Sequence, residues 1–161
     1  MPGLYLLRHG IAEPAGSDPA LSEEGVMLME GEALGMTRLG LRFDAILTSP
    51  LRRAEQTARV VARTLGIVGK VETSRALAPG CRLSGLSALF DAHRAARAIL
   101  LVGHQPDMGR IAAELTGALD PPPLEKGTLC CLEVAGWPPR PPATLERVLS
   151  PGFLRGQAAP R

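Results

Sequence analysis

An almost wholly apolar run, Ala98–Val102, limits the folds open to this chain of 161 residues. A run this short and apolar is typical of a strand covered on both faces, as strands of parallel sheets are. Two further short runs, Leu4–Leu7 and Phe43–Thr48, precede segments with helical patterning. Strands that alternate with helices predict an α/β fold with three layers, α/β/α, and a mostly parallel central sheet.

Capping residues predict where the helices begin and end. Ser22, followed by two glutamates, predicts a helix that runs to about Gly40, although its glycines at 31 and 35 weaken it. Ser49-Pro50 predicts the start of a second helix, which stops at Gly66. Further helices are predicted over 83–97 and 106–117, and strands around Val71, over 128–135 and over 143–149. We expect one domain over residues 1–150 and a flexible C-terminal tail over 151–161.

Composition excludes several classes of partner. The formal net charge is only +2 and aromatic residues make up 3%, which argues against nucleic-acid binding and against a membrane-surface role. No apolar stretch approaches the roughly 20 residues of a membrane span, and the N-terminus does not read as a signal peptide. The three cysteines have no zinc-binding spacing, so we expect reduced thiols in a cytoplasmic protein.

Polar residues follow three of the predicted strands. They are Arg8-His9-Gly10, the segment from Ser49 to Arg53, and His104-Gln105. Because ligands of α/β sheets bind beyond the carboxyl ends of the strands, these segments are expected to converge on one edge. Each segment alone is a weak signal, but two of the three histidines of the chain lie in this set.

The same residues resemble a known family. Leu-Arg-His-Gly at 7–10, Ser-Pro-x-x-Arg-Ala-x-x-Thr at 49–57 and Gly-His at 103–104 resemble the histidine phosphatase superfamily. The short length and the segments 49–57 and 103–106 look most like its phosphohistidine phosphatase branch, the SixA type, over roughly residues 4–150. The resemblance implies a phosphoglycerate mutase-like fold and a phosphatase.

The resemblance also implies the roles of the site residues. His9 would be the nucleophile, Arg8 and Arg53 would clamp the phosphoryl group, and His104 would be the second histidine of the pocket. A neutral imidazole can attack phosphorus and form a phosphohistidine that water later cleaves. Two arginines and a protonated His104 supply the positive charge, so neither a metal nor another cofactor is expected.

Two neighbouring positions add detail to this pocket. Arg52 and Arg53 lie about 100° apart on a helix, so only one should face the phosphoryl group, and the family pattern selects Arg53. Gln105 is a further candidate for phosphate binding, through its backbone N–H.

The sequence favours a phosphorus–nitrogen bond as the one that is broken. Larger relatives carry a carboxylate in mid-chain that protonates an ester leaving group, and Leu77–Arg82 has no acid. A phosphoramidate nitrogen leaves more easily than an alkoxide once it is protonated. Glu13, Asp18 and Asp107 could supply an acid from other loops, although each also fits a surface, capping or first-turn position.

We therefore expect a phosphatase that acts on phosphohistidine in proteins. The alternative substrate is a small phosphorylated metabolite, a sugar phosphate or nucleotide, because Pro19 stands where SixA-type relatives commonly carry arginine. A catalytically silent phosphate-binding module is a third reading, but its signature would be loss of His9 or of a clamp residue, and none is lost. The sequence does not predict the oligomeric state.

Overall fold

A computed structural model of the protein describes residues 1–158 and has one six-stranded sheet at its centre. In chain order the strands are β1 (Gly3–Arg8), β2 (Ala45–Thr48), β3 (Val71–Thr73), β4 (Ala98–Gly103), β5 (Leu129–Glu133) and β6 (Thr144–Leu149). Their order across the sheet is β3-β2-β4-β1-β5-β6. Strands β3, β2, β4 and β1 pair in parallel with their neighbours, and β5 pairs antiparallel with both β1 and β6. This confirms the predicted, mostly parallel α/β sheet.

Five helices cover the two faces of this sheet. They are α1 (Glu23–Arg38), α2 (Arg52–Leu65), α3 (Ser87–Asp91), α4 (Asp107–Thr116) and α5 (Pro151–Ala158). Ser22 caps α1 as predicted, because its hydroxyl accepts a hydrogen bond from the Gly25 N–H at 2.9 Å. None of these helices is long and apolar enough to cross a membrane within residues 1–158.

Two apolar clusters lie on opposite faces of the sheet. One joins the sheet to α3 and α4 and includes Phe90 and Cys130, and the other joins it to α1, α2 and α5 and includes Met29 and Cys131. The adjacent cysteines thus point to opposite faces, as expected for neighbours in a strand, and all three cysteines are free thiols.

Two helix predictions need correction. The expected helix over 83–97 is instead a 3₁₀ turn, Leu83–Leu86, followed by the short α3, because no side chain caps either start and Gly85 lies within the turn. The second helix begins at Arg52 rather than at Ser49-Pro50. Ser49 is fully buried, and its hydroxyl contributes to the functional site instead.

Most of the segment 151–161, which we expected to be a flexible tail, is helical. Residues Pro151–Ala158 form α5, in which Leu154 is fully buried in the cluster around α1, and residues 159–161 lie outside the described residues. Gly31 and Gly35 of α1 explain this packing. A Cβ at Gly35 would overlap the carbonyl oxygen of Leu154, and one at Gly31 would lie 3.4 Å from the Arg155 side chain. The glycines that weaken α1 as a helix therefore form its contact surface for α5.

Gly35→Ala is expected to destabilise the fold by about 1–3 kcal/mol, because the added methyl group meets backbone rather than a flexible side chain. Helix propensity alone would act the other way, by about 1 kcal/mol in favour of alanine. Gly31→Ala is the matched control, since a Cβ there would lie 3.4 Å from the stem of the Arg155 side chain, an ordinary van der Waals contact. Urea unfolding followed by circular dichroism measures both, and a Gly35→Ala protein as stable as the control would contradict the close packing of α1 on α5.

Candidate active site

The carboxyl ends of three adjacent parallel strands bring the predicted residues together. His9 follows β1, Ser49 follows β2 and His104 follows β4, and these strands are neighbours in the order β2-β4-β1. The rings of His9 and His104 have their centroids 5.3 Å apart. Both histidines are buried, at 6% and 4% exposure, so the two rings lie together just below the surface at this edge of the sheet.

His9 is held with one ring nitrogen free to react. Its Nδ1 lies 2.8 Å from the carbonyl oxygen of Gly10. A carbonyl oxygen only accepts, so Nδ1 carries the hydrogen and Nε2 keeps its lone pair. The Arg53 Nε–H donates to that Nε2 at 3.3 Å. The atom that could attack phosphorus therefore lies next to a guanidinium group.

The loop that carries His9 is fastened to α2 by Thr57. The Gly10 N–H donates to the Thr57 hydroxyl at 3.0 Å, and that hydroxyl donates to the carbonyl oxygen of Arg53 at 2.7 Å. Thr57 is fully buried, so this connection is shielded from water. It fixes the position of His9 relative to Arg53.

His104 is oriented by Ser49. Its Nε2 lies 2.7 Å from the Ser49 hydroxyl, which also accepts a hydrogen bond from the Leu51 N–H. Its Nδ1 is buried and has no hydrogen-bond partner among residues 1–158. Buried polar atoms are normally paired, so this nitrogen is suited to a ligand oxygen.

Burial controls the charge of both histidines. It lowers the pKa of His9 to about 4 against the opposing hydrogen bond to Gly10, and the nearby His104, Arg53 and Arg8 lower it further. Burial, then Arg53 and Arg8, likewise lowers the pKa of His104 to about 4. Both rings are therefore neutral near pH 7 in the free protein. Burial and the neighbouring guanidinium groups thus disfavour a protonated His104 in the free protein, while its protonation beside a bound phosphoryl group stays a prediction.

These shifts predict where the histidines titrate. Both rings should take up a proton near pH 4 rather than near 6.5, and the ¹⁵N chemical shifts of the ring nitrogens measure this directly. Since the unfolded chain takes up these protons near pH 6.5, stability present above that pH should be lost as the pH falls towards 4. A midpoint near 6.5 for His9 would contradict the buried, cationic environment.

The three candidate arginines, Arg8, Arg52 and Arg53, differ in burial and in their hydrogen-bond partners. The Nη1 of Arg8 donates to the carbonyl oxygen of Leu124 at 3.0 Å, while its Nε is buried and has no partner among the described residues. Arg53 is half-buried beside His9, whereas Arg52 is exposed and its backbone N–H donates to Asp18. The structure thus places Arg53, and not Arg52, beside His9.

The remaining candidates lie outside the histidine pair. Asp107 is buried and accepts a hydrogen bond from the Gly80 N–H at 2.8 Å, and Asp18 accepts one from the Arg52 N–H at 3.0 Å. Glu13 is exposed in the loop after β1. The side chain of Gln105 accepts from the Gly109 N–H in α4, and the role of its backbone N–H stays a prediction.

Several residues that build the pocket were not singled out from the sequence. Ser49 and Thr57 enter the sequence analysis only as parts of the motif at 49–57, because the burial of their hydroxyl groups is visible only in the structure. The Leu124 carbonyl, which holds Arg8, gave no signal because any residue supplies that group.

The fold and this pair of histidines define the class of protein. A family model described as histidine phosphatase superfamily (branch 1) matches residues 4–78. An uncharacterized protein of Picosynechococcus sp. is 39% identical over 117 residues, which cover 68% of this chain and 70% of that protein. The chain belongs to the histidine phosphatase superfamily.

Solved structures show the same fold. The protein histidine phosphatase SixA, in a complex with tungstate, has a TM-score of 0.83 at 23% identity and covers 94% of this chain and 99% of that one. A SixA-type structure from Agrobacterium tumefaciens has a TM-score of 0.76 at 24% identity and covers 93% of this chain and 99% of that one. The phosphoglycerate mutase-like fold expected from the sequence is confirmed.

Proposed function

We propose that the protein is a phosphohistidine phosphatase that acts on phosphorylated histidine in proteins through a covalent intermediate on His9. The Nε2 of His9 would attack phosphorus, so that a bond from His9 to phosphorus forms while the bond from phosphorus to the substrate imidazole breaks. The substrate imidazole first takes a proton from solvent on its other ring nitrogen, so it leaves as the neutral ring. Water then cleaves the phosphohistidine at position 9, which yields inorganic phosphate and restores the free side chain.

The positive groups around His9 would stabilise the transferred phosphoryl group. Arg53 already contacts the reacting nitrogen, and Arg8 and His104 each have a buried nitrogen without a partner among the described residues. A phosphoryl group beside His104 favours protonation of its ring, so the positive charge expected there would arise when substrate binds. This arrangement supplies charge without a metal or another cofactor.

The choice of a phosphorus–nitrogen substrate rests on one observation. The charged groups that shift the pKa values of His9 and His104 are arginines and a histidine, and no carboxylate is among them within residues 1–158. An alkoxide leaving group needs a proton from a nearby acid, whereas an imidazole can leave once its ring is protonated by solvent. The engagement of Asp107 and Asp18 with backbone N–H groups supports the same reading.

The free cysteines bear on where the protein acts. Cys130 and Cys131 are buried thiols, and Cys81 is partly buried. Such thiols suit a reducing compartment, so we place the activity in the cytoplasm.

Release of phosphate from two substrates tests the proposed activity. We expect faster release from a phosphohistidine peptide than from p-nitrophenyl phosphate, with chelator present, and loss of both in His9→Ala. Faster release from the ester would identify a phosphatase of small phosphorylated metabolites. No release from either substrate by a folded protein would favour a phosphate-binding module.

A further inference from the structure

A cavity lies beside the histidine pair. It has a volume of about 710 Å³ and is lined on one side by Arg8, Gly10 and Ile11, so two of its lining residues flank His9 in the chain. The other walls come from α1, from residues 125–126 before β5 and from the start of α5. Since β6 ends at the same edge of the sheet as β1, this flanking cavity lies on the catalytic edge.

The α1 wall of the flanking cavity contains Glu32, a carboxyl group that the phosphatase reaction does not use. Glu32 is 2% exposed, and its Oε1 has no hydrogen-bond partner among the described residues. Burial raises the pKa of Glu32 to about 8, against a smaller opposing effect of Arg155, so the group is mostly protonated near pH 7.

The backbone around Glu32 leaves space for this carboxyl group. Gly127, which follows the residues that line the cavity before β5, has a φ of +83°, and a Cβ there would lie 2.6 Å from Glu32 Oε2. A side chain at position 127 is therefore disfavoured for two reasons: the positive φ strains any residue other than glycine, and the Glu32 carboxyl group occupies the space. A neutral carboxyl without a partner can donate a hydrogen bond to an anion.

Cationic side chains line the flanking cavity together with Glu32. Lys126 is exposed at its edge, and Arg155 of α5 is partly buried with its stem against Gly31 of α1. Glu125 is the other acid in the lining. With Glu32 protonated, the lining holds three positive groups, since Arg8 adds to Lys126 and Arg155, against the one negative group of Glu125. The flanking cavity therefore favours an anion.

We propose that the flanking cavity binds a carboxylate carried by the leaving group of the substrate, with Arg155 and Lys126 as its cationic partners and Glu32 as a hydrogen-bond donor. The inference rests on the proposed function, because it describes the substrate of the same site. Arginine and lysine both pair with carboxylates, and arginine can do so through two parallel hydrogen bonds. In a protein substrate the carboxylate would be an acidic side chain next to the phosphohistidine.

Matched substrate pairs test this inference. One pair is N-phosphorylated imidazole and N-phosphorylated imidazoleacetate, and a second pair is phosphohistidine peptides with Glu or Gln beside the modified residue. A third pair, phenyl phosphate and 3-carboxyphenyl phosphate, does not depend on the phosphorus–nitrogen reading. For each pair the ratio of kcat/KM with and without the carboxylate is measured in the wild type, in Arg155→Gln and in Lys126→Gln. Arg140→Gln is the matched control, since Arg140 is exposed and lies outside the cavity.

We expect the wild type to prefer the carboxylate by about tenfold, as one charge-assisted contact can provide. Arg155→Gln should remove most of this preference and leave the substrate without a carboxylate within about twofold, and Arg140→Gln should change neither value. Lys126 is exposed, so Lys126→Gln keeps the test valid if Arg155→Gln fails to fold. A preference confined to the imidazoleacetate pair would assign the carboxylate to a small leaving group, and one shared by the peptides would assign it to an acidic side chain.

The outcomes that overturn the two proposals differ. Hydrolysis of N-phosphorylated imidazole with no preference for a carboxylate in any pair would overturn the inference and leave the proposed function standing. A carboxylate preference seen only with the esters, without cleavage of phosphorus–nitrogen bonds, would overturn the proposed function and support the flanking cavity. Equal losses with both members of a pair in Arg155→Gln would show that Arg155 is structural.

Discussion

His9→Ala is expected to lower kcat for phosphate release by at least about 10³-fold, because the variant has no atom that can form the covalent intermediate. The fold should survive, since His9 contributes to a polar pocket rather than to either apolar cluster. Removal of the buried imidazole leaves both Arg8 and Arg53 in place, so binding of inorganic phosphate should persist. Steady-state phosphate release and phosphate binding by calorimetry measure the two effects separately.

The control for this variant is His93→Ala. His93 pairs with Glu72 away from the pocket, at 2.8 Å, so its loss should leave kcat within about twofold of the wild type. A His9→Ala protein that keeps a tenth of the activity, about 1.4 kcal/mol in the barrier, would show that another group attacks phosphorus.

Arg53→Ala is expected to lower kcat/KM by about 10²–10³-fold, the range seen when one preorganised donor to a developing charge is removed. Arg53 donates to His9 Nε2, the nitrogen that we propose attacks phosphorus, so it would meet the phosphoryl oxygens during transfer. Its neighbour provides an unusually close control. Arg52 is exposed and lies on another side of α2, so Arg52→Ala should stay within about threefold.

The split between kcat and KM separates the roles that Arg53 could have. A guanidinium that acts mainly in the transition state lowers kcat, whereas one that only binds substrate raises KM with kcat unchanged. Arg53→Lys restores the charge but not the planar fork, so it should recover only part of the loss. Equal effects of Arg52→Ala and Arg53→Ala would contradict the assignment of a single clamp residue on α2.

The sheet and its catalytic edge could be predicted because the signals were local and periodic. The apolar run of β4 and the polar residues that follow β1, β2 and β4 fix both the parallel sheet and the edge at which His9 and His104 meet. Arg53 could be preferred to Arg52 from helical geometry and the family pattern together, and their exposures agree with that preference.

Features that depend on distant contacts could not be read in the same way. From the sequence alone the glycines of α1 indicate a weak helix, whereas in the structure they form the surface on which α5 packs. Helix α5 itself has too little local patterning to be recognised. The low pKa of His104 arises from burial and from arginines on two other segments. Glu32 looks like any surface glutamate in a helix, and its burial against Gly127 is visible only in the folded structure.

The covalent intermediate on His9 is the central claim, and rapid quenching tests it most directly. The enzyme is mixed with a phosphohistidine peptide, quenched in alkali within the first turnover, digested and analysed by mass spectrometry. A peptide that contains His9 should gain one phosphoryl group that is stable in alkali and labile in acid, and Arg52→Ala should show the same adduct. Phosphate release at the full rate with no adduct on His9 at any time point, or an adduct on His104 instead, would contradict the account.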